Sequence, residues 1–197
     1  MRVIAGKAKG RKLLSVPGES TRPITDRVKE SLFNILGERV VDARFLDLFA
    51  GTGSVGIEAL SRGARQAIFV EISGRAIKTL KRNLELTGLA EGAEIVQRDV
   101  FKFIEREAAA PFDRLRAAPF DELRAAPFDI IYIAPPQYKG LWARTLQALD
   151  GKGLLAPDGV VVAQIHPKEY EDLDLKSLQL VDQRKYGSTL LCFYAPK

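Results

Sequence analysis

The sequence predicts an α/β protein with a doubly wound, Rossmann-like sheet, and three observations lead to this fold class. Apolar strands alternate with amphipathic helices along most of the chain, as in a mostly parallel sheet with helices on both faces. A glycine-rich turn follows the first strand. The C-terminal stretch SLQLVDQRKYGSTLLCFYAPK breaks the alternation. It predicts two strands joined at a turn around Gly187, an antiparallel C-terminal hairpin.

The elements follow one another along the chain. TDRVKESLFNIL predicts a helix capped by Thr25, because Val28, Leu32, Ile35 and Leu36 fall on one face. The strand RFLDLF, the glycine turn, the helix SVGIEALSRG, the strand AIFVEI and the helix GRAIKTLKRNLELTG come next. The alternation ends with the strand AEIVQRD, a short helix, the strand FDIIYI, the helix GLWARTLQAL and the strand GVVVAQI.

An eight-residue repeat interrupts this pattern at about residues 109–126. Its unit AAPFDRLR recurs with one change, from Arg114 to Glu122. Solenoid repeats need units of about 20 or more residues, so a period of eight cannot build one. We interpret the segment as a duplicated insertion ahead of the strand FDIIYI, with RNA binding by its arginines as the alternative.

Length and composition predict one globular domain. The 197 residues are 46% hydrophobic and 28% charged, and no run approaches the roughly 18 apolar residues of a membrane span. The basic N-terminus precedes no apolar segment of a secretory signal, so we expect a cytoplasmic protein without a membrane partner. Cys192 is the one cysteine, which excludes an intrachain disulfide and a thiolate metal site. We expect a monomer without a metal.

The excess positive charge lies in the N-terminal segment. Through Lys29 the chain has eight basic and two acidic residues, a net charge of +6 against +5 for the whole chain. We predict that residues 1–24 form a basic arm that contacts nucleic acid, with residues 25–197 as the main domain. An arm kept for solubility is the alternative. The candidate RNA-binding residues are Arg2, Lys7, Lys9, Arg11, Lys12 and Arg27.

The stretch FLDLFAGTGSVG predicts a nucleotide-cofactor site, because Gly51, Gly53 and Gly56 have the G-x-G-x-x-G spacing between a strand and a helix. Asp47 ends the strand before them. A carboxylate there repels a pyrophosphate and favours the cationic amino group of S-adenosylmethionine, so we favour that cofactor over NAD. Glu71 ends the second strand, where an acid can accept hydrogen bonds from both ribose hydroxyls of either cofactor.

Asp99 ends the third strand and is placed to accept from an adenine amino group, with Val100 beside the ring; helix capping is the alternative. Asp47, Glu71, Asp99 and Val100 are candidate cofactor-binding residues. The loops after the first two strands add Ala50, Gly51, Thr52, Gly53 and Ile72.

Several blocks together resemble the bacterial small-subunit ribosomal RNA guanine-N2 methyltransferases. They are MRVIAG, GRKL, TRPITDRVKESLFNIL, LDLFAGTGSVGIEALSRGA, FVE, a double proline and YGSTLLCFY. The resemblance implies a seven-stranded methyltransferase sheet, the product S-adenosylhomocysteine, and ribosomal RNA or an assembling small subunit as partner. It also implies that the arm is a small hairpin touching RNA, and that Arg22 and Thr25 contact the methionine end of the cofactor.

The stretch IYIAPPQYKG departs from the family pattern. Ala134 stands where the family has Asp, Asn or Ser before Pro135 and Pro136, and Gln137 stands at the aromatic position, with Tyr138 one residue later. These five residues are the candidate catalytic set. We favour retained activity, in which main-chain carbonyls and Gln137 accept from the target amine and Tyr138 stacks on the flipped base.

Other functions stay open at this point. The departure also fits a cofactor-binding RNA-binding protein whose catalysis is weak or lost. A DNA amine methyltransferase and an NAD-dependent oxidoreductase are further alternatives. His166, the one histidine of the chain, is a candidate replacement base.

Overall fold

The computed structural model describes residues 1–16, 24–109 and 127–197. Arg22 and the repeat from residue 110 lie outside the described residues. Within them, seven strands form one sheet: β1 (Arg44–Leu48), β2 (Gln66–Glu71), β3 (Ala93–Gln97), β4 (Phe128–Ile133), β5 (Leu155–Ile165), β6 (Leu178–Tyr186) and β7 (Thr189–Pro196).

The strand order is β3-β2-β1-β4-β5-β7-β6. Strands β1 to β5 pair in parallel, whereas β7 is antiparallel to both of its neighbours. The predicted doubly wound sheet with an antiparallel C-terminal hairpin is confirmed.

Helices cover both faces of the sheet, as the strand-helix alternation predicted. They are α1 (Asp26–Leu36), α2 (Ser54–Ser61), α3 (Gly74–Thr87), α4 (Val100–Ala108) and α5 (Leu141–Leu149). Buried side chains of α1, α2 and α3 form one core cluster with one face, and those of α4 and α5 form a second with the other. A short 3₁₀ turn, Pro167–Glu169, follows β5. No helix in the described ranges is long and apolar enough to cross a membrane.

Helix α1 differs in one respect from its predicted apolar face. Val28, Leu32 and Leu36 are buried, but Ile35 is 40% exposed. Lys29 is buried in its place. The helix therefore turns a charged residue toward the N-terminal segment that packs beside it.

The first 13 residues form a small hairpin against α2. The Val3 amide donates to the Arg11 carbonyl at 2.9 Å, and the Gly10 amide donates back to the Val3 carbonyl at 2.9 Å. At Gly6 the backbone lies so close to α2 that an added Cβ would come within 1.8 Å of the Ser61 carbonyl oxygen. Only glycine permits this approach.

A buried ion pair fastens the hairpin to the domain. The Glu58 carboxylate is fully buried and accepts from the amides of Ile4 and Ala5 at 2.8 and 3.0 Å. It also pairs with Lys29 at 3.2 Å. Burial lowers the pKa of Lys29, and the Glu58 carboxylate opposes that shift. Lys29 contributes to the charge excess of the segment, but its ammonium is inside the protein and cannot contact RNA.

Candidate functional site

The candidate site lies at the edge of the sheet where the parallel strands end. The order reverses between β1 and β4, and ligands of open α/β sheets bind in the crevice outside the carboxyl ends at such a reversal. The glycine loop follows β1, and the proline motif follows β4. The Ala134 amide lies 3.5 Å from the Leu48 carbonyl, so the two loops leave the sheet side by side.

The glycine loop is tightly packed and locally strained. Phe49, which is not a glycine, has φ of 64°, and Gly53 has φ of 75°. A Cβ on Gly53 would lie 2.1 Å from the Leu80 side chain. Strained backbone of this kind persists where its surroundings fix it, often at ligand sites. Asn83 supplies one such restraint, since its side-chain amide donates to the Thr52 carbonyl at 3.0 Å.

Asp47 is a buried acid at the end of β1. It is 2% exposed, and its carboxylate accepts from the Gly56 amide at 3.0 Å. Burial raises the pKa of Asp47 to about 8; the nearby Glu71 carboxylate adds to the rise, and the Gly56 hydrogen bond opposes it. A cation beside this carboxyl would favour its ionised form. The position suits an ammonium group and does not suit a pyrophosphate.

Glu71 is held by main-chain amides at the end of β2. One carboxylate oxygen accepts from Gly51 at 2.8 Å, and the other accepts from Ile72 and Ser73, both at 2.8 Å. The oxygen that accepts from Gly51 has a further lone pair for a hydroxyl donor, whereas the other oxygen already accepts two hydrogen bonds. Ile72 next to it is 65% exposed, which offers an apolar surface for a flat ring at this edge.

Two other predicted cofactor residues cap helices. Asp99 accepts from the Phe101 and Lys102 amides with one oxygen, at 3.0 and 3.1 Å, so its other oxygen is the one left for an adenine amino group. Thr25 accepts from the Val28 amide at 3.4 Å. Val100 as a whole is 4% exposed and its side chain packs in the core, so little of it is open to an adenine ring. Ala50 is also buried.

The proline motif presents an exposed aromatic ring. Pro136 and Gln137 are exposed, and Tyr138 is 65% exposed with φ of 59°. The Tyr138 amide donates to a Glu169 carboxylate oxygen at 2.6 Å, and its ring centroid lies 5.5 Å from that of His166. The loop after β4 therefore rests on the turn after β5.

Glu169 connects these two loops, and no sequence pattern indicated this role. Besides Tyr138, its carboxylate accepts from the His166 amide at 3.2 Å, and its carbonyl accepts from the Trp142 indole at 3.2 Å. His166 Nδ1 accepts from the Lys168 amide at 3.1 Å. The neutral ring then has its proton on Nε2, which is a donor. This geometry argues against His166 as a replacement base.

A second unpredicted pair lies on the neighbouring strands. Tyr132 of β4 is 2% exposed, and its hydroxyl donates to Gln164 Oε1 of β5 at 2.6 Å. Burial raises the pKa of Tyr132 well above its usual value, and the charge of Asp47 adds to the rise. Tyr132 therefore keeps its proton and remains a donor.

The predicted RNA-binding residues in the hairpin lie on the surface. Arg2, Lys7, Lys9, Arg11 and Lys12 are all exposed, as is Arg27 of α1. Arg2 pairs with Asp26 at 3.0 Å, which partly neutralises its charge. The remaining cations are available to phosphate groups.

The chain is similar to a family model, to two relatives and to a solved structure. The family model described as "Conserved hypothetical protein 95" matches residues 1–195. YlbH of Bacillus subtilis (strain 168) is 37% identical over 195 residues, 98% of each chain. Ribosomal RNA small subunit methyltransferase D of Escherichia coli (strain K12) is 34% identical over 164 residues, 83% of this chain and 74% of the relative. The solved structure of yhhF from Escherichia coli matches with a TM-score of 0.81 at 29% identity, over 100% of this chain and 98% of that one.

Proposed function

The chain belongs to the conserved hypothetical protein 95 family, and from this premise we propose that it transfers a methyl group from S-adenosylmethionine to the N2 amine of a guanine in small-subunit ribosomal RNA. Its relative in Escherichia coli is a small-subunit ribosomal RNA methyltransferase. The proposed partner is the RNA itself or an assembling subunit. The protein acts in the cytoplasm as a monomer and uses no metal.

The observation that supports this function best is the pair of acids at the ends of β1 and β2. Asp47 is buried with a raised pKa, so the ammonium of the cofactor's methionine part stabilises the ionised carboxylate that burial disfavours. Glu71 stands at the end of the adjacent strand, where its remaining lone pair accepts from a ribose hydroxyl. Exposed Ile72 contacts the adenine ring.

The transfer itself is an in-line displacement that depends mainly on positioning. The amine nitrogen attacks the methyl carbon while the carbon–sulfur bond breaks and its electrons stay on sulfur. The nitrogen then releases a proton to water. The two prolines make the loop after β4 rigid, and the Tyr138 ring stacks on the flipped base. The exposed cations of the hairpin contact the RNA backbone.

The decisive experiment measures methyl transfer from labelled S-adenosylmethionine to small-subunit ribosomal RNA and to its assembly intermediates. Nuclease digestion then identifies the modified base. We expect N2-methylguanine. Label in another base, or preferential transfer to DNA, would contradict the proposed substrate.

A second candidate is a cofactor-binding RNA-binding protein with weak or lost catalysis. The observation that favours it is the methyl side chain of Ala134, which cannot accept a hydrogen bond from the amine. Tight cofactor and RNA binding without any transfer would support this candidate over the enzyme.

A further inference from the structure

We propose that Gln164 of β5 takes the place left empty by Ala134 and accepts the hydrogen bond of the target amine. The inference rests on the proposed methyl transfer and assigns a substrate contact outside the proline motif.

The register of β4 and β5 puts the two residues next to each other. Tyr132 pairs with Val162, and Ile133 pairs with Ala163, so the next position in parallel register sets Ala134 beside Gln164. Adjacent strands lie about 4.8 Å apart. The Ala134 amide still lies within 3.5 Å of the Leu48 carbonyl of β1, so the chain has not yet left the plane of the sheet there.

Both side chains are on the same face of the sheet. Side chains alternate between faces along a strand, and Tyr132, Val162 and Ala134 all pack with the same core cluster. Ile133 and Ala163 belong to the cluster on the other face. Gln164 follows Ala163 and bonds Tyr132, which places its side chain with those of Tyr132 and Ala134.

The Tyr132 hydroxyl orients the Gln164 amide without exhausting it. The hydroxyl donates to Oε1 at 2.6 Å, and an amide oxygen has a second lone pair. That lone pair can accept from an N–H of the target amine. Gln164 is only half-buried, so its amide is accessible from the edge where the cofactor loops end.

An acceptor at this place does what the missing side chain would do. The lone pair of a guanine amine is delocalised into the ring, and a hydrogen bond from its N–H orients the nitrogen toward the methyl carbon. Removing one well-placed hydrogen bond of an active site costs about 10²-fold in rate. A neutral amide does not take the proton, so the proton leaves to water after the nitrogen–carbon bond forms.

The test combines Gln164→Ala with Ala134→Asp in the full chain. We expect Gln164→Ala to lower kcat about 10²-fold, with the affinities for S-adenosylmethionine and RNA unchanged. Ala134→Asp restores an acceptor, so it should raise kcat at least about tenfold in the Gln164→Ala background and by a clearly smaller factor in the protein that keeps Gln164. Gln147→Ala, an exposed glutamine of α5, is the matched control and keeps full activity.

Two further variants separate the substrate contact from a folding defect. Gln164→Glu retains an acceptor oxygen and should transfer faster than Gln164→Ala. Tyr132→Phe removes the orienting hydroxyl and should lower kcat by an intermediate factor, with cofactor affinity as the check on folding.

The outcomes also separate this inference from the proposed function. An active protein whose kcat is unchanged by Gln164→Ala, or purely additive effects of the two substitutions, would overturn the role of Gln164 alone. No methyl transfer by the unmodified protein to any RNA would overturn both.

Discussion

The cofactor half and the substrate half of the site hold their functional groups in different ways. In the cofactor half, the carboxylates of Glu71 and Asp99 accept from amides of the one to three residues that follow them. In the substrate half, Tyr138 depends on Glu169, 31 residues away, and Tyr132 on Gln164, 32 residues away. Apart from Gly51, 20 residues from Glu71, the acids of the cofactor half accept from amides at most nine residues away, whereas the substrate half exists only once β4 and β5 pair.

The largest expected effect tests the cofactor half. Glu71→Ala should lower the affinity for S-adenosylmethionine by about tenfold to 10²-fold, because it removes a charged acceptor for a ribose hydroxyl, and a hydrogen bond to a charged group contributes about 1.5–3 kcal/mol. Titration calorimetry measures the change. Glu91→Ala, at an exposed position before β3, should leave the affinity unaltered. A Glu71→Ala affinity within about threefold of the original would remove Glu71 from the cofactor site.

A smaller effect is expected from the contact between the loops after β4 and β5. Glu169→Ala frees the Tyr138 amide and loosens the ring that stacks on the base, so kcat/KM for RNA should fall about 30-fold while cofactor affinity stays the same. Glu169→Gln keeps one acceptor oxygen, so its kcat/KM for RNA should lie between the values of Glu169→Ala and of the unmodified protein. Steady-state kinetics with RNA measure kcat/KM, and a cofactor titration measures the affinity for S-adenosylmethionine. Glu171→Ala, at an exposed position, is the control.

An equal loss of cofactor affinity in Glu169→Ala would show that the two halves are not separable. The residue would then be a general structural support of the sheet edge and not a positioning residue for the substrate.

The same contrast explains which features were predictable from sequence. Asp47, Glu71 and the glycine turn stand at strand ends that apolar runs define, so their place at one edge follows from a parallel sheet. Gln164 and Glu169 belong to no recognisable motif. Their hydrogen-bond partners are determined by strand order and register, which the local sequence does not show. The sequence contained one signal for such long-range contacts, the polar residue Glu58 within the apolar helix SVGIEALS.

The buried pair Lys29–Glu58 shows a case in which local sequence alone is misleading. Charge counting included Lys29 in the basic excess of the N-terminal segment, but Glu58 of α2 pairs with it in the interior of the protein. Local composition cannot distinguish a basic residue that faces phosphate from one that fastens a hairpin to the domain.

The third prediction uses the raised pKa of Asp47 to sharpen the assignment of the cofactor half. With a pKa of about 8, the apo protein holds a neutral carboxyl at pH 6, and an ammonium ligand must displace its proton. Affinity for S-adenosylmethionine should therefore rise with pH, by up to about tenfold per unit between pH 6 and 7.5. Asp47→Asn should show a flatter profile in the same calorimetric titration.

Whereas the cofactor affinity should rise with pH, the contribution of Asp47 to the stability of the cofactor-free protein should fall with pH. The folded pKa of Asp47 lies above its unfolded value of about 3.8, so without cofactor its contribution is fully present below that value. It is lost as pH rises toward 8. A cofactor affinity that does not change between about pH 6 and 7.5 would contradict a direct contact between Asp47 and the ammonium.

The smallest expected effect concerns the hairpin, which packs on α2 and for which we propose RNA contact. Lys9→Ala should weaken RNA binding about threefold and reduce the salt dependence by up to about one phosphate contact, with cofactor affinity unchanged. Lys152→Ala, at an exposed position between α5 and β5, is the matched control. Because Glu58 fixes the hairpin to the domain, the remaining cations cannot rearrange to replace Lys9. An unchanged salt dependence would therefore place the RNA on another surface.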